Sequence, residues 1–336
     1  MDKLARKCVL ELSPYSCARD EFSGTKAVFL DANENPFGNL NRYPDPHQRQ
    51  LKEEISRLKA VPVNNVFVGN GSDEVIDLLF RIFCNPGEDK ALIFTPTYGM
   101  YEVSAAINDV SLIKLPLNSA FQIDLDELKT HLAINNIKMI FICSPNNPTG
   151  NLIGQVDSVL QIFDGIVVLD EAYIDFSTSG SFIPNINEYQ NLIVMQTLSK
   201  AWGLASARIG MAFAHQNIID LLNKIKPPYN VSGLNQKAAF EALKNTMYFE
   251  NKKAVILEQR HWLKEQLNAV SIVKKVYPTD ANFFLVEMEN AICVYERLVA
   301  KGVITRNRNS LVKNCLRITV GSPQENIQLI EALNSL

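Results

Sequence analysis

Between about residues 66 and 215, short runs that are apolar at every position alternate with segments whose apolar residues recur at helical spacing. "VFVG", "ALIFTP", "SLIKLPL", "KMIFICSP", "GIVVLD", "NLIVMQTL" and "RIGMAFA" read as strands. "SDEVIDLLFRIFC", with Ser72 as its N-cap, "YGMYEVSAAI" and "LDELKTHLAI" read as helices between them. Strands apolar on both faces fit a mostly parallel sheet covered by helices, an α/β architecture. The "GIVVLD" and "NLIVMQ" strands should lie at its centre.

The pattern changes after about residue 215. A long helical stretch from near Val231 to Asn268, broken near "NTMYFE", leads into "SIVKKVYP", "FFLVEM", a helix at "AICVYERLVA", then "GVITRN" and "CLRITVG". The last helix opens with "SPQE": Ser322 at N-cap, Pro323 at N1 and Glu325 at N3 form a capping box. The organisation expected is a large domain over residues 36–230, and a smaller α+β domain over 231–336 with an N-terminal arm, 1–35. The arm is expected to pack on the small domain or on a partner subunit.

The chain has 336 residues and 47% hydrophobic content, enough for a sizeable core. Its net charge of −3, from 33 basic and 36 acidic residues without a block of either sign, argues against a nucleic-acid binder. No apolar run is long enough for a membrane span or signal peptide, so a cytoplasmic location is expected. The six cysteines, Cys8, Cys17, Cys84, Cys143, Cys293 and Cys315, form no C-x-x-C pair and read as buried free thiols. The four histidines are scattered, and no metal-ligand spacing occurs.

Four polar clusters fall at the ends of expected strands: "GNGSDE", "SPNNPTG", "DEAY" and "TLSK". In open parallel sheets, ligands bind outside the carboxyl ends of the strands. "GNGSDE" joins flexible backbone to a helix N-terminus, an anion site or an ordinary turn. Asp170 ends a strongly apolar strand, where a carboxylate needs a cation or strong donor. Lys200 is a candidate Schiff-base nucleophile or a solvated loop lysine. Arg208 is a candidate phosphate clamp or a surface ion-pair partner. One ligand satisfies all four demands. Pyridoxal 5′-phosphate offers an aldehyde to a lysine, a phosphate to an arginine and a helix N-terminus, and a ring nitrogen to a carboxylate. A dinucleotide site is the weaker alternative, because "GNGSDE" lacks the third glycine of G-x-G-x-x-G.

The blocks "LSPYS", "LDANENPFG", "RYPDP", "GNGSDEVIDLL", "PTYGMY", "SPNNPTG", "VVLDEAY", "TLSKAWGLASARIG" and "CLRITVG" occur in an order that spans nearly the whole chain. In them the sequence resembles the fold-type I, class II pyridoxal-phosphate-dependent aminotransferases, most closely the branch that acts on histidinol phosphate. The resemblance implies that Lys200 is the Schiff-base lysine and proton shuttle. It implies that Asp170 binds the pyridinium nitrogen, Asn147 and Tyr173 the ring hydroxyl, and that Tyr98 stacks on the ring. Ser72, Asp73, Thr197, Ser199 and Arg208 would hold the cofactor phosphate, with the Asp73 side chain capping or pointing away.

On the substrate side the resemblance implies Arg317 as the anion grip, with Arg306 favoured over Arg308 on the preceding strand. Alternation puts those two on one face. Tyr15 and Tyr43 would approach the substrate phosphate, Tyr43 from the neighbouring subunit of a homodimer, and Asn33 would line the pocket. The implied reaction exchanges an amino group between L-histidinol phosphate and 2-oxoglutarate, giving imidazole-acetol phosphate and glutamate, in histidine biosynthesis. Aromatic or aspartate transamination and threonine-phosphate decarboxylation are the alternatives within the same fold.

Overall fold

A computed structural model of the chain describes residues 4–15 and 28–336. Seven strands form the large sheet: β1 (Val66–Asn70), β2 (Lys90–Thr95), β3 (Ser111–Pro116), β4 (Ile137–Cys143), β5 (Ile166–Asp170), β6 (Leu192–Thr197) and β7 (Ile209–Ala214). Their order is β1-β7-β6-β5-β4-β2-β3, with β5 at the centre and β6 beside it, as the apolar runs predict. Strands β3, β2, β4, β5 and β6 are mutually parallel, whereas β7 runs antiparallel to both β6 and β1. The chain reverses within the short link after Thr197, so Gly210 pairs with Thr197 and Ile209 with Asn70. That reversal sets the start of β7 beside the ends of β1 and β6, and Arg208 at the edge where the other polar clusters emerge.

Each strand feeds two apolar layers through its two-residue period. Val167 and Leu169 of β5 enter one layer with Leu92, Ile140, Val194 and Phe213. Ile166 and Val168 enter the other with Ile93, Phe141, Met195 and Ala212. The side chain of Asp170 therefore follows Ile166 and Val168 toward the second layer.

The helices are α1 (Lys7–Glu11), α2 (Arg49–Lys59), α3 (Ser72–Phe83), α4 (Met100–Ile107), α5 (Leu125–Ile134), α6 (Val156–Ile162), α7 (Gln216–Ile225), α8 (Gly233–Lys244), α9 (Thr246–Ala269), α10 (Ala291–Ala300) and α11 (Pro323–Asn334). The expected helical stretch after Val231 breaks at Asn245, whose side chain caps α9 by accepting from the Tyr248 N–H. The capping box at Ser322 and Glu325 forms as read. Helices α2, α6 and α7 escaped the sequence reading. In α2, six of the eleven residues are charged, and the buried stripe is only Leu51, Ile55 and the stem of Lys52. Ser72 is not an N-cap: it is the first residue of α3, the N-cap is Gly71, and no side chain caps the helix start.

A second, antiparallel sheet combines β8 (Val273–Val276), β9 (Phe283–Met288), β10 (Arg306–Asn307) and β11 (Cys315–Thr319) in the order β10-β11-β9-β8. Its apolar face packs with α9, α10 and α11. Of "GVITRN", only Arg306 and Asn307 pair, opposite Arg317 and Leu316. The beginning of the arm departs from expectation. Ala5 and Val9 join the layer beneath α3 and α7. The Arg6 N–H donates to Ile82 O at 2.8 Å, and Lys224 Nζ donates to Leu10 O at 2.7 Å. Residues 4–11 are thus held by the large sheet's helices, because two apolar residues four apart complete that layer. Helix α8 also gives Ala239 and Leu243 to the large sheet's other layer.

The five described cysteines are free; Cys84, Cys143 and Cys315 are buried as expected, but Cys8 and Cys293 are exposed. Both lie on the outer faces of helices rather than in apolar strands. Cys17 lies outside the described residues. Among the described residues, no helix is long and apolar enough to cross a membrane.

Strand β7 crosses the start of α3 so closely that a Cβ on Gly210 would sit 2.2 Å from the Ser72 N and 2.3 Å from the Gly71 carbonyl carbon. Both are backbone atoms, so the clash has no flexible partner to absorb it. Gly210→Ala is expected to destabilise the fold by about 1–3 kcal/mol. Gly180→Ala, whose Cβ meets nothing within 4 Å, should stay within about 0.5 kcal/mol of wild type. Urea unfolding of the two variants checks this.

Candidate active site

The strand ends open into one cavity of about 330 Å³. It is lined by Ser72, Asp73, Tyr98, Cys143, Asn147, Asp170, Ala172, Tyr173, Thr197, Ser199, Lys200, Arg208, Arg306, Arg308 and Arg317. The large sheet supplies the floor, and the small sheet supplies the three later arginines.

At one end lies an anion cradle. Helix α3 begins at Ser72 with no side-chain cap, so its first N–H groups and its dipole face the cavity edge unclaimed by a side chain. Thr197 and Ser199 bring hydroxyls 3.1 Å apart, and the Ser199 N–H donates to Thr197 Oγ1. Arg208 arrives with φ of 53°, held by the Gly71 N–H donating to its carbonyl at 2.8 Å. Gly71 has φ of +79°, and a Cβ there would lie 2.4 Å from Arg208 Nη2. Glycine is thus favoured at 71 by its backbone conformation, and a side chain there would push the guanidinium aside. The Asp73 carboxylate neither caps its helix nor points away. It accepts from the Tyr98 hydroxyl at 3.1 Å and faces Arg208 Nη2 at 3.4 Å, because these are the nearest donor and cation to a carboxylate at the second position of α3.

The floor is Asp170, only 3% exposed at the end of the central strand. Its Oδ2 accepts the Tyr101 hydroxyl at 2.6 Å, and its Oδ1 accepts the Ala172 N–H at 3.0 Å. Burial pushes its carboxyl above the ordinary range, and those two donors oppose the shift. Lys200 follows the end of β6. Burial and the charge of Arg317 lower its pKa, against the attraction of Asp170 and Asp73. Burial likewise raises the Tyr173 phenol, which keeps its proton beside the cavity. The Tyr173 ring meets Phe283 edge-on, with Lys200 Nζ at 5.7 Å from its centroid.

At the other end, Arg306 and Arg317 face each other across β10 and β11, and Arg308 follows two residues on. Arg317 lies over the Phe283 ring at 5.3 Å and donates to Asn147 Oδ1 at 2.6 Å. Among the described residues, none of the three arginines pairs with a carboxylate. Burial lowers the pKa of Arg308, with Arg317 and Arg306 adding to it, and burial lowers that of Arg317, with Tyr173 opposing and Arg306 adding. Like charges placed directly across a strand pair are unfavourable, so this end of the cavity is built for an anion.

The cavity gathers every proposed cofactor contact named from the sequence, together with Arg306 and Arg317. Arg308 lines it too, so the structure brings both members of the Arg306/Arg308 alternative to the site. It does not bring in Tyr15, Asn33 or Tyr43. Tyr15 is 72% exposed; Tyr43 is 50% exposed and stacks on Tyr229 with centroids 4.4 Å apart. Sequence reasoning missed Tyr101, Cys143 and Ala172. Tyr101 had no readable signal, because Tyr98, three residues before it, lies outside α4, whose N-cap is Gly99. Cys143 had none, because its place at the floor comes from its pairing with Asp170 across β4 and β5.

A mixed sheet whose strand ends bring a lysine, a buried carboxylate and an arginine-bearing anion cradle together is the framework of an aminotransferase. The family model of aminotransferase class I and II matches residues 12–333, and the chain belongs to that family. It is 50% identical to the histidinol-phosphate aminotransferase of Cytophaga hutchinsonii, over 100% of this chain and 99% of that one. It is 51% identical to the histidinol-phosphate aminotransferase of Bacteroides fragilis strain YCH46, over 99% and 98% of the two chains. Among solved structures, the histidinol-phosphate aminotransferase of Clostridium acetobutylicum superposes with a TM-score of 0.81 at 26% identity, covering 88% of this chain and 91% of that one. The fold is shared with the enzyme of Sinorhizobium meliloti in complex with pyridoxal 5′-phosphate, with a TM-score of 0.82 at 24% identity over 90% and 89% of the two chains.

The raised carboxyl of Asp170 gives a stability prediction for the cofactor-free protein. A carboxylate with a raised folded pKa costs stability above that pKa, and the cost is relieved as pH falls through it. Asp170→Asn is therefore expected to raise the thermal midpoint by about 2 °C or more at neutral pH, with the gain shrinking toward acid. Thermal scans across pH check the sign.

Proposed function

We propose that this chain transaminates L-histidinol phosphate with 2-oxoglutarate, using pyridoxal 5′-phosphate and giving imidazole-acetol phosphate and glutamate, as a step of histidine biosynthesis. One observation carries the reading: a single cavity sets Lys200 between a buried carboxylate, an uncapped helix start with Arg208, and three further arginines with no carboxylate partner among the described residues. The donor set fits the cofactor at both ends. Hydroxyls, N–H groups and Arg208 suit its phosphate, and Asp170 suits a protonated ring nitrogen. Its volume lies at the lower end of the range for small-molecule sites.

Bound there, pyridoxal phosphate supplies an electron sink for the pair left when a substrate Cα–H bond breaks. The chain supplies the rest. Lys200 would be the covalent attachment point and, when its amine is free, the base that holds and moves the substrate's Cα proton. Its lowered pKa raises the fraction in the neutral, proton-accepting form. Asp170 would hold the ring nitrogen protonated, and Tyr98 would pack against the ring. Asn147 gives its oxygen to Arg317, which leaves its NH₂ group to donate to the ring hydroxyl beside Tyr173. Thr197, Ser199 and Arg208, with the N–H groups of Ser72 and Asp73, hold the phosphate.

Arg306, Arg308 and Arg317 would take the substrate's phosphate monoester in one half-reaction and glutamate's carboxylates in the other, since both anions accept a guanidinium fork. The working unit in this reading is a homodimer, with Tyr43 reaching the neighbouring cavity and Tyr15 and Asn33 closing over substrate. Val28, Leu30, Phe37 and Leu40, in the segment that precedes Tyr43, are all exposed, apolar side chains that a second subunit would cover.

Added histidinol phosphate should convert the purified enzyme's cofactor to its amine form within a single turnover, well ahead of phenylalanine. Carbon dioxide release from phosphothreonine would instead make it a decarboxylase. Lys200→Arg should lower turnover by at least about a hundredfold; near wild-type turnover would end the assignment of Lys200. Arg306→Gln and Arg308→Gln, compared by KM for histidinol phosphate, identify which arginine grips the phosphate: that variant should raise KM by about tenfold or more. Sedimentation of wild type at micromolar concentration tests the dimer.

A further inference from the structure

Tyr101 is fully buried on α4, where its ring stacks on Phe141 of β4 at 4.7 Å and 21°. It meets the Tyr98 ring edge-on, with centroids 5.6 Å apart at 87°. A phenylalanine would make the same ring contacts, and a buried hydroxyl is costly unless it finds a partner. The partner is Asp170, whose Oδ2 accepts the hydroxyl at 2.6 Å. The Ala172 N–H takes Oδ1 at 3.0 Å. The two donors fix the rotation of the carboxylate, and the lone pairs they leave are available to the cavity.

We propose that Tyr101 is a positioning residue for Asp170: its hydroxyl orients the carboxylate and stabilises its charged form, and so sets how firmly the protein holds the protonated ring nitrogen of the cofactor. The proposal rests on the reading of the cavity as a pyridoxal phosphate site. It also gives the edge-on contact with Tyr98 a purpose, since one residue then steadies both the floor beneath the ring nitrogen and the aromatic wall beside the ring. The other titratable groups around Asp170 are Cys143 on β4, Asp73 on α3, Lys200 after β6, and the phenols of Tyr98 and Tyr173, which burial keeps protonated. Burial keeps the Cys143 thiol protonated, Asp73 opposes the charge on Asp170 and Lys200 favours it. Among the described residues, only Tyr101 and the Ala172 N–H donate hydrogen bonds to the carboxylate.

The test compares wild type with Tyr101→Phe, each titrated with pyridoxal phosphate. The variant keeps the Phe141 and Tyr98 packing. Its cofactor dissociation constant is expected to rise on the order of tenfold, as for loss of a hydrogen bond to a charged group. The ring-nitrogen NMR shift of isotope-labelled pyridoxal phosphate should move toward the unprotonated value, which a purely structural defect would not cause. Transamination should lose kcat with little change in KM for the amine. In an Asp170→Asn background, Tyr101→Phe should have no further effect on cofactor affinity. Wild-type affinity and ring-nitrogen shift in Tyr101→Phe would overturn the proposal, as would an equal loss in the Asp170→Asn background. A wild-type protein that binds no pyridoxal phosphate would overturn the reading of the cavity itself, a result separable from both.

Discussion

The site depends on keeping one carboxylate in an apolar sheet. Asp170 ends the central strand, and its side chain emerges on the same face as Ile166 and Val168, where the neighbouring positions are hydrocarbon. An isolated charge there is expensive, and removing its partners would leave the cost unmet. The chain answers with two hydrogen-bond donors and with Lys200 above. These offset burial only in part, since the carboxyl is still pushed upward. In the proposed complex a cationic ring nitrogen would supply the missing counter-charge. A floor that fully satisfied itself would have little reason to hold a ligand.

The opposite end of the cavity follows the same logic with the sign reversed. Arg306 and Arg317 stand across from one another in a two-stranded ladder, and Arg308 adds a third guanidinium whose Nε is buried without a partner. Stability alone would favour a carboxylate among them. The arrangement becomes favourable when an anion arrives, and because the donors are forks on a sheet edge it does not specify one anion shape. That tolerance is what a two-substrate cycle requires, with a phosphate monoester in one half and a dicarboxylate in the other. Arg208 is kept apart from this group by its ion pair with Asp73 and its seat against Gly71, so in the proposed reaction the cofactor phosphate and the substrate anion would not compete for one arginine.

Much of this was legible in the sequence, for physical reasons. Buried strands of a parallel sheet must be apolar on both faces, so β1 to β7 stood out as runs, and polar residues at their ends marked the ligand edge. The ordered motifs then located Lys200, Asp170, Asn147 and Arg208. What stayed hidden has a different origin in each case. Helix α2 is mostly charge around a narrow apolar stripe. The N-cap reading of Ser72 failed because Gly71 takes the left-handed conformation and moves the helix start one residue on. Asp73 was expected to avoid the cradle, but a local period cannot show that Tyr98 and Arg208 converge on it from elsewhere in the chain. Tyr101 and Cys143 reach the floor only through strand register and the packing of α4 on β4, which are tertiary facts.

The antiparallel β7 ties these ends together. Had the chain crossed over after β6 to make another parallel strand, Arg208 would have entered at the far edge of the sheet, remote from Lys200. The tight reversal after Thr197 keeps lysine and arginine on one edge, eight residues apart, and pairs Gly210 with Thr197. The same reversal brings β7 so near the start of α3 that only glycine fits at 210, and Gly71 supplies the positive φ that leaves room for the Arg208 guanidinium. The absence of side chains at those two positions is therefore as much a part of the anion cradle as the guanidinium of Arg208. It lets the bare helix start, the Thr197 and Ser199 hydroxyls and the arginine approach a single point.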